Sequence, residues 1–309
     1  MSATTPDHIT HHGDNTPGQL DLSRPSGKRT IKSGCASAFM IVATVLAVIP
    51  LAWLLFAAVR RGIGSLFHAS WWTHSMDPSF DLAEQGAIHA IVGTLEIGLI
   101  TSIISVPIAL MTAIFLVEYA RGTKIAKVIS FAVDVLTGVP SIVAALFVFA
   151  VVVTTFGGTQ SAWASSLALM ILMVPTVLRS TEEMLKLVPD SLREASFALG
   201  VSQWKTIMKV VLPTSMTGIL TGIVLGLARV MGETAPLIVL LLQFNTELTF
   251  NPSTPNFATL PTVITNAYTQ GGVDTPVVWG AAITLIILVM GLNLIARRIS
   301  RRYMRRMGK

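Results

Sequence analysis

Charge is scarce in this 309-residue chain: only 12% of its residues are Asp, Glu, Lys or Arg, whereas 52% are hydrophobic. A soluble globular domain has about 25% charged residues, and its core could not hide so much apolar surface. The composition therefore excludes a soluble enzyme and a soluble nucleic-acid-binding protein. The single cysteine, Cys35, excludes an intrachain disulfide and a cysteine-built zinc site. The sequence also lacks the motifs GxxxxGK[ST], HExxH and GxSxG, so we expect no nucleotide hydrolysis, catalytic residue, metal or cofactor in this chain.

Long apolar runs are the most prominent feature of this sequence. A helix of about 20 residues crosses a hydrocarbon core of about 30 Å, and six runs are about that long or longer. The sequence therefore predicts an all-α membrane protein with six transmembrane helices, at 36–59, 88–116, 128–155, 162–178, 214–244 and 277–296. Residues 1–35 are polar and without apolar periodicity, which predicts a disordered tail. Residues 301–309 form a short basic tail beyond the transmembrane domain at 36–300.

The positive charges lie on one side of these predicted spans. Of the 22 lysines and arginines, 19 fall before the first span, after the sixth span, in the loop after the second span and in the region between the fourth and fifth spans. Cytoplasmic loops carry such an excess. Both termini are therefore predicted to be cytoplasmic, and the loops at 60–87 and 245–276 are predicted to face the outside.

The cytoplasmic loop at 190–212 is the most informative stretch. Ser191 and Glu194 have the spacing of a helix capping box, and Gly200 is suited to end that first helix in a left-handed conformation. Ser202 is suited to cap a second helix, which is predicted to break near Pro213. Local chemistry thus predicts a compact pair of helices below the membrane. A well-capped loop on the bilayer surface would have the same signature.

The same loop resembles the EAA loop of the permease subunits of ABC importers. The matching positions are Glu194-Ala195-Ser196, Gly200 and Val210-x-Leu212-Pro213, with Ser196 and Val210 as conservative departures. In that family the loop docks into a cytoplasmic ATPase subunit. The resemblance implies that Glu194, Ala195, Ser196 and Gly200 couple this chain to such a partner, although Glu194 is equally suited to be a helix cap only.

The fifth predicted span holds a charged pair, Arg229 and Glu233. Charged groups within a span are costly unless they are paired or face water. A spacing of four places the two on one helix face, where they could simply neutralise each other. Pro236 interrupts the helix just beyond them, and a broken helix beside charged groups is typical of a substrate path. Thr234, next to the pair, and Glu96, in the second span, are further candidates for lining a path, and Glu96 could instead be a structural partner for another span.

A proton on the substrate would explain this combination of charges. An arginine fork suits a tetrahedral oxyanion, and monohydrogen phosphate, unlike sulfate, can donate its O–H to Glu233. The segment Arg229-Val-Met-Gly-Glu-Thr-Ala-Pro236, with Gly138-Val-Pro-Ser141 and the 191–200 stretch, resembles the PstA family of permeases in phosphate-specific ABC importers. The resemblance covers about residues 36–300 and implies the type I importer permease fold, with translocation roles for Arg229 and Glu233.

The resemblance also implies partners and a location. They are a second, PstC-like permease subunit, two copies of a cytoplasmic ATPase that binds ATP and Mg, an extracytoplasmic phosphate-binding protein and the lipid of a bacterial inner or plasma membrane. No nucleic acid is expected. Three alternatives remain at this stage: a permease for another oxyanion such as sulfate or molybdate, a membrane scaffold that signals phosphate status, and a secondary transporter that needs no ATPase.

Overall fold

The computed structural model describes residues 27–76, 85–241, 246, 248–273 and 275–306, and this part of the chain is helical without a strand. The elements are α1 Gly27–Leu66, α2 Ala69–Thr73, α3 Ile88–Ile114, α4 Lys124–Thr137, α5 Ser141–Val148, α6 Ala162–Lys186, α7 Asp190–Ala198, α8 Gln203–Thr206, α9 Leu212–Met231, α10 Ala235–Leu240, α11 Leu260–Gly271 and α12 Pro276–Arg306. Three π-helical turns extend or join them, at Phe115–Tyr119, Phe149–Thr155 and Ile207–Val211.

Most of the predicted spans are confirmed as helices. In the described residues, five helices are long and apolar enough to cross a membrane: Lys32–Leu66, Ile88–Tyr119, Ala162–Lys186, Gln203–Met231 and Pro276–Arg302. The first helix begins at Gly27 rather than Ala36, just after Pro25, so the predicted disordered tail is wrong for 27–35. The rest of that predicted tail, residues 1–26, lies outside the described residues. The all-α membrane fold follows directly from this set of helices.

The third predicted span is not one helix. Residues 128–155 contain parts of two helical segments, Lys124–Thr137 and Ser141–Thr155, which are bent by 104° relative to each other. The chain turns at Gly138, whose N–H is 3.1 Å from the carbonyl oxygen of Val135, and continues into Pro140, which is extended with φ −60° and ψ 139°. Proline has no N–H and disfavours the helical conformation of the residue before it. A bent pair of helices therefore replaces the continuous span that apolar length alone predicted.

The predicted break near Pro213 is wrong as well. One continuous helix runs from Gln203 to Met231, because a π-helical turn at Ile207–Val211 precedes the proline. A π-turn changes the hydrogen-bond register of the helix, and Pro213 then stands in the first turn of α9. That position tolerates proline. The second helix of the loop is consequently the start of the fifth span.

The chain divides into two units within α1, after Leu55. In the first unit every described side chain, from Lys32 onward, is exposed. The second unit has a core formed mainly by α3, α6 and α9, in which Leu169, Met173 and Leu178 are buried. A second cluster surrounds Trp71, whose Nε1 donates a hydrogen bond to Thr284 Oγ1 at 3.0 Å.

Three glycines bring α9 close to α6. Gly218, Gly222 and Gly226 recur every fourth residue, and a Cβ atom on each would lie within 3.0 Å of an α6 side chain. Small residues at such spacing permit close approach of membrane helices, for which lipid supplies little hydrophobic driving force. This packing fixes the position of α9, whose far end carries the charged pair.

Candidate functional site

The charged pair lies where the fifth span is broken. Helix α9 ends at Met231, and the N–H groups of Gly232 and Glu233 bond back to Arg229 and Val230 at 3.1 and 3.2 Å. Helix α10 begins again at Ala235, so Pro236 stands in its first turn. The break predicted beside the pair is therefore confirmed, although the chain leaves the α-helix already at Gly232.

Arg229 and Glu233 are only loosely paired. Arg229 Nε lies 3.8 Å from Glu233 Oε1, which is an ion-pair distance but too long for a hydrogen bond. The side chains retain 49% and 21% of their exposure, respectively. Among the described residues, the guanidinium of Arg229 donates no hydrogen bond. The pair thus leaves hydrogen-bonding capacity unused at a break in an apolar span.

Arg229 belongs to an exposed stripe on α9. Thr214, Thr221, Leu225 and Arg229 are exposed and recur at intervals of seven, four and four residues, which place them along one side of the helix. The adjacent face, with Gly218, Gly222 and Gly226, packs on α6. Thr221 and Leu225 of this stripe line a cavity shared with Asn293 and Arg297 of α12. The exposed positions lead along α9 to Arg229.

The other two path-lining candidates have different positions. Thr234 is half-buried and precedes α10, within one turn of Glu233. Glu96 is half-buried on α3, and within the described residues it has no ion pair or hydrogen bond. Its helix meets α9 nearby, because a Cβ on Gly98 would lie 3.3 Å from Leu227 and Met231. Three of the four candidates therefore lie within six residues at the break after α9, and Glu96 lies on a neighbouring helix. The roles of all four stay predictions.

The loop at 190–212 folds as a helix pair. Helices α7 and α8 are separated by Gly200, whose φ of 76° is in the left-handed region, as predicted. Ser202 is the residue before α8, but its side chain makes no capping bond. The predicted capping box is wrong: α7 begins at Asp190 after Pro189, so Ser191 lies inside the helix and Glu194 is exposed.

The four coupling candidates have different environments. Glu194, Ala195 and Gly200 are exposed, and Leu199 beside them is 83% exposed. Ser196 is buried, with its Oγ 2.8 Å from Thr206 Oγ1 of α8. Ser196 thus holds the two helices together, whereas the exposed residues present a surface with an apolar component. Their contact with an ATPase remains a prediction.

Two ionic clusters are absent from the sequence analysis. Arg179 pairs with Asp134 of α4 and with Glu182, which also bonds to Lys186 at 2.7 Å. Arg193 of α7 pairs with Glu118 of the Phe115–Tyr119 turn at 2.7 Å. The partners Arg179 and Asp134 are 45 residues apart in sequence, and Arg193 and Glu118 are 75 apart, so no local periodicity relates them. Glu182 lies three residues from Arg179 and four from Lys186, and this helical spacing is visible in the sequence.

In the part of the chain that the structure describes, no three His, Cys, Asp or Glu side chains come together as a metal site. What the geometry defines is a polytopic membrane protein of the transport class. Its apolar helices include the fifth span, which is broken after Met231 and carries the loosely paired Arg229 and Glu233 at that break. A helix pair, α7 and α8, lies at the opposite end of the same span.

Comparison with known proteins gives the family. The family described as "Binding-protein-dependent transport system inner membrane component" matches residues 105–309. The chain is 48% identical over 279 residues to the phosphate transport system permease protein PstA 1 of Mycobacterium tuberculosis H37Rv, covering 88% of each chain. It is 46% identical over 284 residues to PstA of Mycobacterium leprae, covering 90% of this chain and 92% of that protein.

The fold has a solved counterpart. A chain of a bacterial alginate ABC transporter, crystallised with a periplasmic protein that binds an alginate pentasaccharide, superimposes with a TM-score of 0.61 at 15% identity, covering 88% of this chain and 97% of that chain. The protein belongs to the family of binding-protein-dependent transport inner membrane components, and it has the fold of the permease chains of ABC importers. It is accordingly a multi-pass membrane protein.

Proposed function

We propose that this chain is a transmembrane permease subunit of an ATP-driven importer of inorganic phosphate in the bacterial inner or plasma membrane. The observation that carries the proposal is the Arg229–Glu233 pair, loosely joined at a break in an apolar span. The names of relatives at 46–48% identity, which are phosphate transport permeases, support the choice of substrate.

The geometry of the pair suits a protonated oxyanion. At 3.8 Å from Glu233, the guanidinium of Arg229 keeps donors for two oxygens of a phosphate. The carboxylate of Glu233 can accept the O–H of monohydrogen phosphate, whereas fully ionised sulfate would bring only repulsion. Thr234 and Glu96 are proposed to line the same path. A single arginine is a thin site for a divalent anion, so we expect the second permease subunit to contribute further charges.

Transport requires partners that supply energy and substrate. We propose that a PstC-like second permease subunit faces the exposed stripe on α9, and that two copies of an ATPase dock on the exposed surface of Glu194, Ala195, Leu199 and Gly200. Those subunits would bind ATP and Mg, and this chain would carry out no chemistry. A phosphate-binding protein would deliver its ligand on the opposite side. The concentration of 19 of 22 basic residues on one side supports cytoplasmic termini and a cytoplasmic helix pair.

The mechanism is alternating access. Binding and hydrolysis of ATP would shift the equilibrium between an outward-open and an inward-open arrangement of the spans. In either arrangement Arg229 would offer its fork to the anion, and Glu233 would select for the proton on it. The alternative oxyanions sulfate and molybdate would lose that selective contact.

Uptake of radiolabelled phosphate tests the proposal. Vesicles holding this chain with the second permease, the ATPase and the binding protein are loaded with ATP on the ATPase side, and sulfate is the competitor. Wild type should import phosphate only with ATP and should ignore sulfate, and Arg229→Ala should abolish uptake. Arg298→Ala removes an exposed arginine from the end of α12 and is the matched control.

The possible failures point to different errors. Phosphate uptake by Arg229→Ala at normal membrane levels would refute the assigned role of this arginine. ATP-dependent uptake of a different anion would keep the importer and overturn the substrate. Phosphate uptake without the ATPase would mean that the loop is not a coupling element.

A further inference from the structure

The cytoplasmic helix pair holds the end of α3 through a buried ion pair. Arg193 on α7 and Glu118 in the Phe115–Tyr119 turn retain only 12% and 6% of their side-chain exposure. Arg193 Nη2 donates to Glu118 Oε1 at 2.7 Å, and Nε donates to Oε1 and Oε2 at 3.2 and 3.3 Å. Such a forked contact fixes orientation as well as distance.

The remaining donors of Arg193 extend the contact to the end of α6. Nη1 bonds to the carbonyl oxygen of Val188 at 2.6 Å and to Asp190 Oδ1 at 3.1 Å, and Nη2 bonds to the carbonyl oxygen of Leu185 at 3.0 Å. A buried charge is tolerated when its partners are this complete. Arg193 therefore joins α7, the end of α6 and the end of α3.

The second helix of the pair, α8, also contacts Glu118. Gln203 Nε2 at the start of α8 donates to the backbone carbonyl of Glu118 at 2.8 Å. Ser196 and Thr206 connect α7 to α8 at 2.8 Å. Helices α7 and α8 thus both bind Glu118, which lies in the turn that extends α3. Polar contacts therefore connect all three helices.

This arrangement gives the helix pair three connections to the membrane domain. Two are covalent, since residues 187–189 join α6 to α7 and α8 continues without a break into α9, which carries Arg229. The third is the polar contact with Glu118, at the end of the helix that carries Glu96. A displacement of the helix pair would therefore move both α3 and α9, which approach each other at Gly98, Leu227 and Met231.

We propose that Arg193 and Glu118 transmit the movement of the cytoplasmic helix pair to α3, so that α3 and α9 move together during transport. Arg193 is a positioning residue, because it acts through α3 and lies away from the charged pair. The inference rests on the proposed function for what drives the movement. The ion pair Arg121–Asp190 lies on the same surface, but its side chains are 72% and 56% exposed. Water screens such a pair, so it contributes little to the contact between the helices.

The first test measures phosphate imported per ATP hydrolysed by the reconstituted importer. Glu118→Gln removes the charge and keeps the shape, and Arg193→Lys keeps the charge and loses the fork. Either should lower the ratio about tenfold, within the usual range of coupling energies, while the ATPase rate changes less than about twofold. Arg121→Ala is the matched control and should keep the wild-type ratio. A wild-type ratio in both variants, or a parallel fall of uptake and hydrolysis, would overturn the proposal.

The second test does not depend on the substrate. Spin labels are placed at Tyr119→Cys and Leu192→Cys in a Cys35→Ser background, because Tyr119 is exposed in the π-helical turn that follows α3 and Leu192 is exposed on α7. The distance between them should be the same with and without ATP, and Glu118→Gln should make it depend on nucleotide. A nucleotide-dependent distance with the native ion pair would overturn the proposal even where phosphate import is intact. Absence of phosphate import with an unchanged distance would count against the proposed function alone.

Discussion

The contact between α6 and α9 depends on a missing side chain at Gly222. A Cβ atom at this position would lie 2.2 Å from Ser180 Oγ and 2.5 Å from Ser180 Cβ. The hydroxyl can rotate away, but Ser180 Cβ is attached to the α6 backbone and cannot. In Gly222→Ala the two helices would have to separate by about 1 Å, since ordinary carbon contacts are about 3.5–4.0 Å long.

Two opposing contributions set the change in the free energy of unfolding that Gly222→Ala should cause. Overpacking of this kind costs about 1–3 kcal/mol, and replacing glycine by alanine in a helix returns up to about 1 kcal/mol. A net loss of about 1–2 kcal/mol should lower the Tm by about 2–8 °C, at about 2–4 °C per kcal/mol. Thermal unfolding of the detergent-purified protein, followed by tryptophan fluorescence, measures this shift.

Two further variants make the reasoning refutable. Gly291→Ala is the matched control, since a Cβ on Gly291 meets nothing within 4 Å, and its Tm should equal or slightly exceed that of wild type. Ser180→Gly removes the opposing Cβ, so adding Gly222→Ala to it should cost much less than in the wild-type background. A wild-type Tm for Gly222→Ala, or the same loss in both backgrounds, would refute the close-approach argument.

Three other outcomes are expected. Glu233→Gln should reduce discrimination against sulfate and shift the pH dependence of uptake, because the carboxylate would no longer accept the O–H of monohydrogen phosphate; uptake measured against sulfate at several pH values checks this. Leu199→Glu should leave the Tm unchanged, because Leu199 is 83% exposed, and should lower ATPase co-purification about tenfold if this leucine is a contact hot spot. Gly200→Ala should cost about 1–2 kcal/mol because φ is 76°, and Gly200→Asn should cost less, as their Tm values will show.

The loop at 190–212 shows how far local chemistry reaches. The left-handed Gly200 and the short helix before it follow from residue preferences and were predicted correctly. The helix after Gly200 was predicted to end near Pro213 and instead continues to Met231. The buried role of Ser196 and the link from Arg193 to Glu118 depend on elements far apart in sequence. Neither could be read from the motif, which predicted only contact with a partner. Both appear once α3, α7 and α8 are brought together.

The prolines illustrate the same limit within the membrane domain. Pro107 and Pro175 stand inside continuous helices, whereas Pro140 lies at a bend of 104° and Pro236 begins a new helix. The residue type is identical in each case, so the sequence could only mark all of them as possible kinks. Neighbouring helices that pack against one segment and not another decide which position bends.

The sequence by itself determined the class of protein, the location of most spans, the direction of the charge asymmetry and the pair Arg229–Glu233. These follow from composition and from periodicities of a few residues, which survive in any packing because lipid demands apolar, internally hydrogen-bonded segments. Only the tertiary structure decided that the third predicted span is a bent pair of helices, that the helix runs through Pro213 and that Glu118 is held by Arg193. Those features depend on which distant surfaces meet, and packing between elements is not encoded in the spacing within any one of them.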